Sequence, residues 1–262
     1  MEEAIFITNP SGLKGWSDRY SRIYFGNEFC EELIPSREEL IDVLDFSLCN
    51  GLGFSFVTGL VTDAAIDRIC ALLACITKRL PGSEVIVNDW GMLRVARSYN
   101  LKPIIGRLLS KQRRDPRILD LIGRLPQKTA ECLRSAGGGL YSMRFLRKNS
   151  VDRLEIDNLP QGIILDEAAI SEGFHFSLYY PFNYLTTSRE CLFNDGRDYY
   201  KHRDPGGCAR KCRDNTVTLR HPSMPLPIYM KGNTLFIENP IMPGDLLSKG
   251  IDRIVYQPGI PM

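Results

Sequence analysis

The chain has 262 residues, of which 44% are apolar and 24% charged, and a formal net charge of +2. That length suits one large α/β domain or two small ones, with a core that needs no covalent staples. The near-neutral balance gives no global electrostatic case for nucleic acid. No long apolar run offers a membrane span, and the acidic start Met-Glu-Glu-Ala-Ile-Phe-Ile lacks the marks of a secretion signal. A cytoplasmic location is expected, so the eight cysteines read as ligands or core residues rather than disulfides.

Strand-like and helix-like stretches alternate. Residues 4 to 8 predict a strand, followed by the turn Asn9-Pro10-Ser11-Gly12. A second strand over 22–26 ends in Asn27-Glu28-Phe29-Cys30. Ser36 with Glu39 forms a capping box, and Leu40, Ile41, Leu44 and Leu48 continue as a helix. A strand over 53–59 precedes a helix capped by Thr62 and stopped by Pro81-Gly82. Residues 84–87 form the next strand, with Asn88-Asp89-Trp90-Gly91 at its end and a helix over 92–99 behind it. Residues 102–109 are strand-like and lead into a basic stretch. Residues 118–137 are helical, broken near Pro126, and Gly137-Gly138-Gly139 is a breaker. A short helix over 141–147, a strand over 151–157, a helix over 166–172 and a strand over 174–180 follow. A cysteine-rich loop spans about 188–214. A hairpin turns at Gly232-Asn233, residues 246–249 form a short helix, and 252–256 form the last strand.

About eight strands alternating with helices favour an α/β, (β/α)8 TIM-barrel-like fold, either irregular or incomplete, as a single domain over 1–262. An open doubly wound sheet is less favoured, because no Gly-x-Gly-x-x-Gly follows the first strand. In such barrels chemistry gathers at the C-terminal ends of strands. Polar residues recur there: Asn27, Glu28, Asn88, Asp89, Arg107, Asp157, Asn158, Thr186 and Thr187. Turn and cap chemistry accounts for any one of them; their recurrence points to a shared mouth. Asn88, Asp89 and Arg107 are the candidates to line it.

Four cysteines lie outside the helical periodicity: Cys30, Cys191, Cys208 and Cys212. Four thiolates suit an iron–sulfur cluster or zinc. One close pair is too few for a zinc ribbon, and the three-cysteine run of radical S-adenosylmethionine enzymes is missing. Arg197, Lys201, Arg203, Arg210, Lys211 and Arg213 surround the thiols and favour thiolate, although a solvated basic loop would look alike. Cys49, Cys70, Cys75 and Cys132 sit in apolar-periodic stretches and are expected to pack in the core.

Three further features have both a functional and a bland explanation. His202, inside the cysteine loop, is a candidate outer-sphere group or alternative ligand, or a solvent-exposed loop histidine. Lys111, Arg113, Arg114 and Arg117 form a basic patch open to RNA or phosphate, or to a solvated helix start or a subunit contact. Tyr179, Tyr180, Phe182 and Tyr184 offer either a stacking surface for a small aromatic substrate or core packing. Neither His-Glu-x-x-His nor Gly-x-Ser-x-Gly occurs.

Tyr-Phe-Gly-Asn-Glu-Phe-Cys at 24–30, Asn-Asp-Trp-Gly at 88–91, Gly-Arg-Leu-Leu at 106–109 and the set Cys191, Cys208, Cys212 resemble the collagenase-like peptidase family, class U thirty-two. The layout is most like its short UbiU/UbiV members, and the likeness runs through nearly the whole chain. The resemblance implies a 4Fe-4S cluster on Cys30, Cys191, Cys208 and Cys212, and a role in oxygen-independent hydroxylation or a related redox step. It also implies a homologous partner subunit in a heterodimer. Zinc, a non-catalytic metal-braced subunit and an RNA-modification component are the alternatives; peptidase activity is not expected.

Overall fold

The structure is a computed structural model that describes residues 1–136, 143–191, 193 and 208–262. The Gly137–Gly139 breaker, the start of the helix expected at 141, and Arg197, Lys201, His202 and Arg203 lie outside the described residues. In chain order the first five strands are β1 (Glu2–Ile7), β2 (Arg22–Gly26), β3 (Gly53–Val57), β4 (Glu84–Val87) and β5 (Lys102–Ile105). Helices α1 (Arg37–Cys49), α2 (Asp63–Arg79) and α3 (Trp90–Ser98) connect β2 to β5. Next come α4 (Ile118–Ile122), α5 (Gln127–Arg134), β6 (Ser135–Ala136), α6 (Met143–Lys148) and β7 (Arg153–Asp157). They are followed by β8 (Ile164–Leu165), α7 (Glu167–Ser171), β9 (His175–Tyr180) and β10 (Phe182–Thr187). The chain finishes with β11 (Val217–Leu219), β12 (Ile228–Lys231), β13 (Thr234–Glu238) and β14 (Ile251–Tyr256).

Eight strands close a parallel barrel in the order β1-β14-β9-β7-β5-β4-β3-β2. This is the (β/α)8 architecture, irregular but not incomplete. A 3-10 turn, Pro10–Gly15, replaces the first crossover helix, and β5 meets β7 through the pair Ile105↔Leu154. The strands alternate as period-2 sterics require. Outward residues such as Ile5, Phe25, Phe56, Val87, Leu154 and Phe176 pack on helix residues Leu40, Leu44, Ile69, Leu73 and Leu93. Inward residues Ala4, Phe6, Tyr24, Val57, Ile86, Ile104, Tyr179 and Val255 fill the barrel axis.

The interior is polar at both ends of this apolar layer. At the N-terminal end Arg253 bonds Glu84 at 2.7 and 3.1 Å and the Tyr24 hydroxyl at 2.7 Å. Arg22 bonds Glu2 at 2.6 Å, and Tyr24 donates to Glu155 at 3.0 Å. At the C-terminal end the link from β9 to β14 forms an antiparallel sheet, β10-β13-β12-β11. Thr186 and Thr187 belong to β10, where Thr187 Oγ1 meets Thr234 Oγ1 at 2.8 Å, and so do not end a barrel strand.

Local signals account for several elements. The capping box is complete: Glu39 N–H donates to Ser36 Oγ at 3.1 Å and Ser36 N–H to the Glu39 carboxylate at 2.8 Å. Thr62 does not cap α2 with its side chain; its N–H and hydroxyl donate to the Glu31 carboxylate at 2.9 and 2.8 Å. Residues 246–249 form a turn rather than a helix, bounded by left-handed Asp245 (φ 59°) and Gly250 (φ 81°). Cys49 and Cys132 are exposed and Cys70 half-buried; of the four helical cysteines Cys75 packs against the core.

Candidate metal centre

Strand β2 delivers its cysteine through a tight turn. Asn27 Oδ1 accepts the N–H groups of Phe29 at 3.0 Å and Cys30 at 2.9 Å, and Cys30 then leads into a 3-10 turn, Glu31–Leu33. Cys191 follows β10. Cys208 precedes Arg210, whose left-handed backbone (φ 52°, ψ 32°) turns its N–H onto Cys208 Sγ at 3.4 Å. Cys212 lies in the next 3-10 turn, Lys211–Arg213, and is buried.

These segments meet. Cys191, Cys208 and Cys212 line one small cavity together with Phe193, Ala209, Arg210 and Lys211. Cys212 packs with Phe29, Leu33, Tyr184, Phe236 and Met262, and Cys30 rests against that cluster. Burial pushes the Cys30 thiol up to about 11; the Glu32 N–H opposes this, and Cys208, Cys212 and Cys191 add to the rise. Cys212 is raised by burial and by Cys191 and Cys208, with Lys231 opposing. Cys191 and Cys208 thus lie close enough to act on both Cys30 and Cys212, whose protons are held firmly. A bound cation would replace those protons.

The donor set is all sulfur, half-buried and walled by aromatic rings, which fits thiophilic metal. Among the described residues, no three His, Cys, Asp or Glu side chains stand close enough to grip a single metal ion. One zinc with bonds of about 2.3 Å draws its sulfurs to within roughly 4 Å of each other. A cubane, with a metal atom at each of four corners, accepts a wider spacing. Four thiolates are the donor chemistry that such a cluster takes.

Beside the thiols lies a fully buried ion network. Arg107, 0% exposed, bonds Asp157 at 2.7 Å, Glu28 through both carboxylate oxygens, and the Phe182 carbonyl at 3.1 Å. Its guanidinium lies 4.1 Å from the centre of the Tyr179 ring. Arg114 takes the other Asp157 oxygen at 2.8 Å and stacks 4.1 Å from the Tyr184 ring centre. Burial pushes the Glu28 carboxyl up while Arg107 pulls it back, and Arg107 is held charged. Two cations answer two carboxylates, so the network is neutral within itself.

Arg107 therefore does not line an open mouth. Asn88 is also buried, and it clamps the neighbouring loops by donating to Thr58 O at 2.8 Å and accepting Leu108 N–H at 2.9 Å. Asp89 caps α3 through Gly91 N–H at 2.6 Å. Of the basic patch, Arg114 is held by Asp157 and Arg117 by Asp115 at 2.6 Å, and Lys111, Arg113 and Arg117 are exposed. The aromatic set is packed: Tyr179 on Phe6 and Tyr24, Tyr180 on Tyr256, and Tyr184 on Phe29. Sequence reasoning passes over Gln112, which clamps the Asp157 backbone at 2.7 and 3.0 Å, and Lys231, the cation beside Cys212. Nothing local marks either residue, since each acts on a segment distant in sequence.

No protein-family model matches the chain, and no curated protein matches its sequence. Among solved structures, CutC from Streptococcus agalactiae, named for copper homeostasis, aligns at 9% identity and a TM-score of 0.43. It covers 68% of this chain and 87% of its own. A GH18 chitinase from Cycas revoluta, in complex with allosamidin, aligns at 8% identity and a TM-score of 0.30, covering 98% and 94%. No helix among the described residues is long and apolar enough to cross a membrane.

Proposed function

We propose that Cys30, Cys191, Cys208 and Cys212 hold a 4Fe-4S cluster. We further propose that the chain serves in an oxygen-independent hydroxylation or related redox step, as its resemblance to the UbiU/UbiV-like members of the class U thirty-two family implies. The observation that carries this is convergence: Cys191, Cys208 and Cys212, from the two sides of the segment between β10 and β11, line one cavity, and Cys30 from the β2 loop packs against the cluster that holds Cys212. A bound cluster supplies one-electron transfer, at a potential set by hydrogen bonds to sulfur, nearby charge and burial. The chain provides each of these: Arg210 and Glu32 N–H groups directed to sulfur, Lys231 alongside, and an aromatic wall of Phe29, Tyr184 and Phe236.

The engaged state of Asn88, Asp89 and Arg107 favours a second reading, a non-catalytic metal-braced subunit that binds a partner. A redox titration of the anaerobically purified chain, followed by visible absorbance, separates the two. Reversible bleaching by dithionite supports the redox role. Zinc without sulfide, and no redox response, leaves bracing alone.

A further inference from the structure

The turn that joins β12 to β13 bonds two of the thiol-bearing segments. Asn233 Nδ2 donates one hydrogen to Phe29 O at 2.8 Å, the carbonyl just before Cys30, and the other to Ser188 O, three residues before Cys191. The Asn233 carbonyl accepts Ser188 N–H at 3.1 Å, so Ser188 is held through both its backbone groups. Asn233 Oδ1 accepts the Thr234 hydroxyl at 3.1 Å, which fixes the amide's orientation. The neighbouring Gly232 is buried, and an added Cβ would stand 3.3 Å from Cys212 Cβ and 2.6 Å from the Met262 methyl. Its φ of +59° also suits the first residue of a two-residue hairpin turn, where glycine is preferred.

We infer that Asn233 is a positioning residue that draws the Cys30 and Cys191 segments together, while Gly232 admits Cys212 to the same point. This rests on the cluster reading for its purpose, though not for its geometry. Only a primary amide can bridge the two segments in this way. Its one nitrogen carries two hydrogens, and they serve two carbonyls 159 positions apart in the chain. An aspartate of the same shape has no hydrogen to give and sets a carboxylate against both carbonyl oxygens. Outer partners of ligating groups commonly alter metal affinity about 10- to 100-fold.

The test compares wild type with Asn233→Asp, Asn233→Ala and Ser171→Ala in the full chain. Ser171→Ala removes a side-chain bond from α7 without touching a cysteine segment. In metal-free protein with unchanged circular dichroism, maleimide labelling is followed by peptide mass spectrometry. Cys30 and Cys191 should label about tenfold faster in both Asn233 variants, as loss of one or two net hydrogen bonds implies. Cys132 should be unaffected, and Ser171→Ala should behave as wild type. After anaerobic incubation with iron and sulfide, the Asn233 variants should hold about a tenth or less of the wild-type cluster absorbance. Equal labelling rates and equal cluster content in wild type and both Asn233 variants would overturn the inference. If wild type takes up no cluster, the proposed function fails while the labelling still decides the positioning claim. If Asn233→Asp does not fold, Asn233→Ala carries both readouts.

Discussion

Arg107 follows a barrel strand, a position where sequence logic expects a substrate-facing group, yet its charge is sealed against Glu28, Asp157 and the Tyr179 ring. Removing one member of a buried ion set leaves another uncompensated, typically at a cost of about 3–5 kcal/mol. Arg107→Met should therefore lower stability by about that amount in urea unfolding, and adding Glu28→Gln should recover part of it. Glu155 sits in the opposite situation. Burial pushes its carboxyl up to about 8, against Arg253 and Arg153. At that end of the barrel Arg22, Arg153 and Arg253 face Glu2, Glu84, Glu155 and Asp252, and His175 also bonds Asp252 at 2.7 Å. The unfolded chain gives up this proton near 4.5 while the folded chain keeps it to about 8, so stability contributed by Glu155 is full below 4.5 and lost as pH rises to 8. Glu84 runs the other way. Burial raises it, but Arg253 and Arg22 hold it down to about 2, so its contribution is lost as pH falls from 4.5 toward 2. Replacing Glu155 by Gln should flatten the alkaline decline; urea unfolding at pH 5 and pH 8 should show the variant gaining on wild type by a few kcal/mol, at ~1.4 per unit. An unchanged difference between the two pH values would mean that Glu155 is ionised in the folded chain.

At the level of helices and strands, the features legible in the sequence are local. The capping box at Ser36, the apolar alternation of the barrel strands and the Gly232 hairpin each depend on neighbours a few residues apart. Ser36→Ala should cost about 1 kcal/mol, measurable in thermal unfolding. The features that stay hidden depend on distant partners. Glu31 rather than Thr62 closes the start of α2, and β10 finds β13 some fifty positions on, past the cysteine-bearing segment. Asn88 and Asp89 are recognisable as polar groups at a strand end, but their roles as clamp and cap depend on Thr58, Leu108 and Gly91. Gly106 marks the tightest of these junctions, since an added Cβ would stand 2.2 Å from Asn88 Oδ1. Gly106→Ala should displace the Asn88 clamp and destabilise the chain by about 1–3 kcal/mol, lowering its melting temperature without any change at the thiols.

Across the barrel as a body, one end closes with a layer of ion pairs and the other with a second sheet. That sheet brings Cys191 and the Cys208–Cys212 segment back to a loop near the N-terminus. The four-cysteine set is legible because these thiols fall on loops, whereas the other four lie on helices. Their meeting place is not legible, since it depends on the return path of the sheet. Iron and acid-labile sulfide per chain, assayed after anaerobic purification, decide whether the thiols hold a cluster. The assay would be made on wild type, on single serine variants at Cys30, Cys191, Cys208 and Cys212, and on Cys132→Ser. About four of each element are expected in wild type and Cys132→Ser, and little or none in the four ligand variants. Wild-type levels of both elements in the Cys30 and Cys208 variants, or neither element in wild type, would refute the four-thiolate centre.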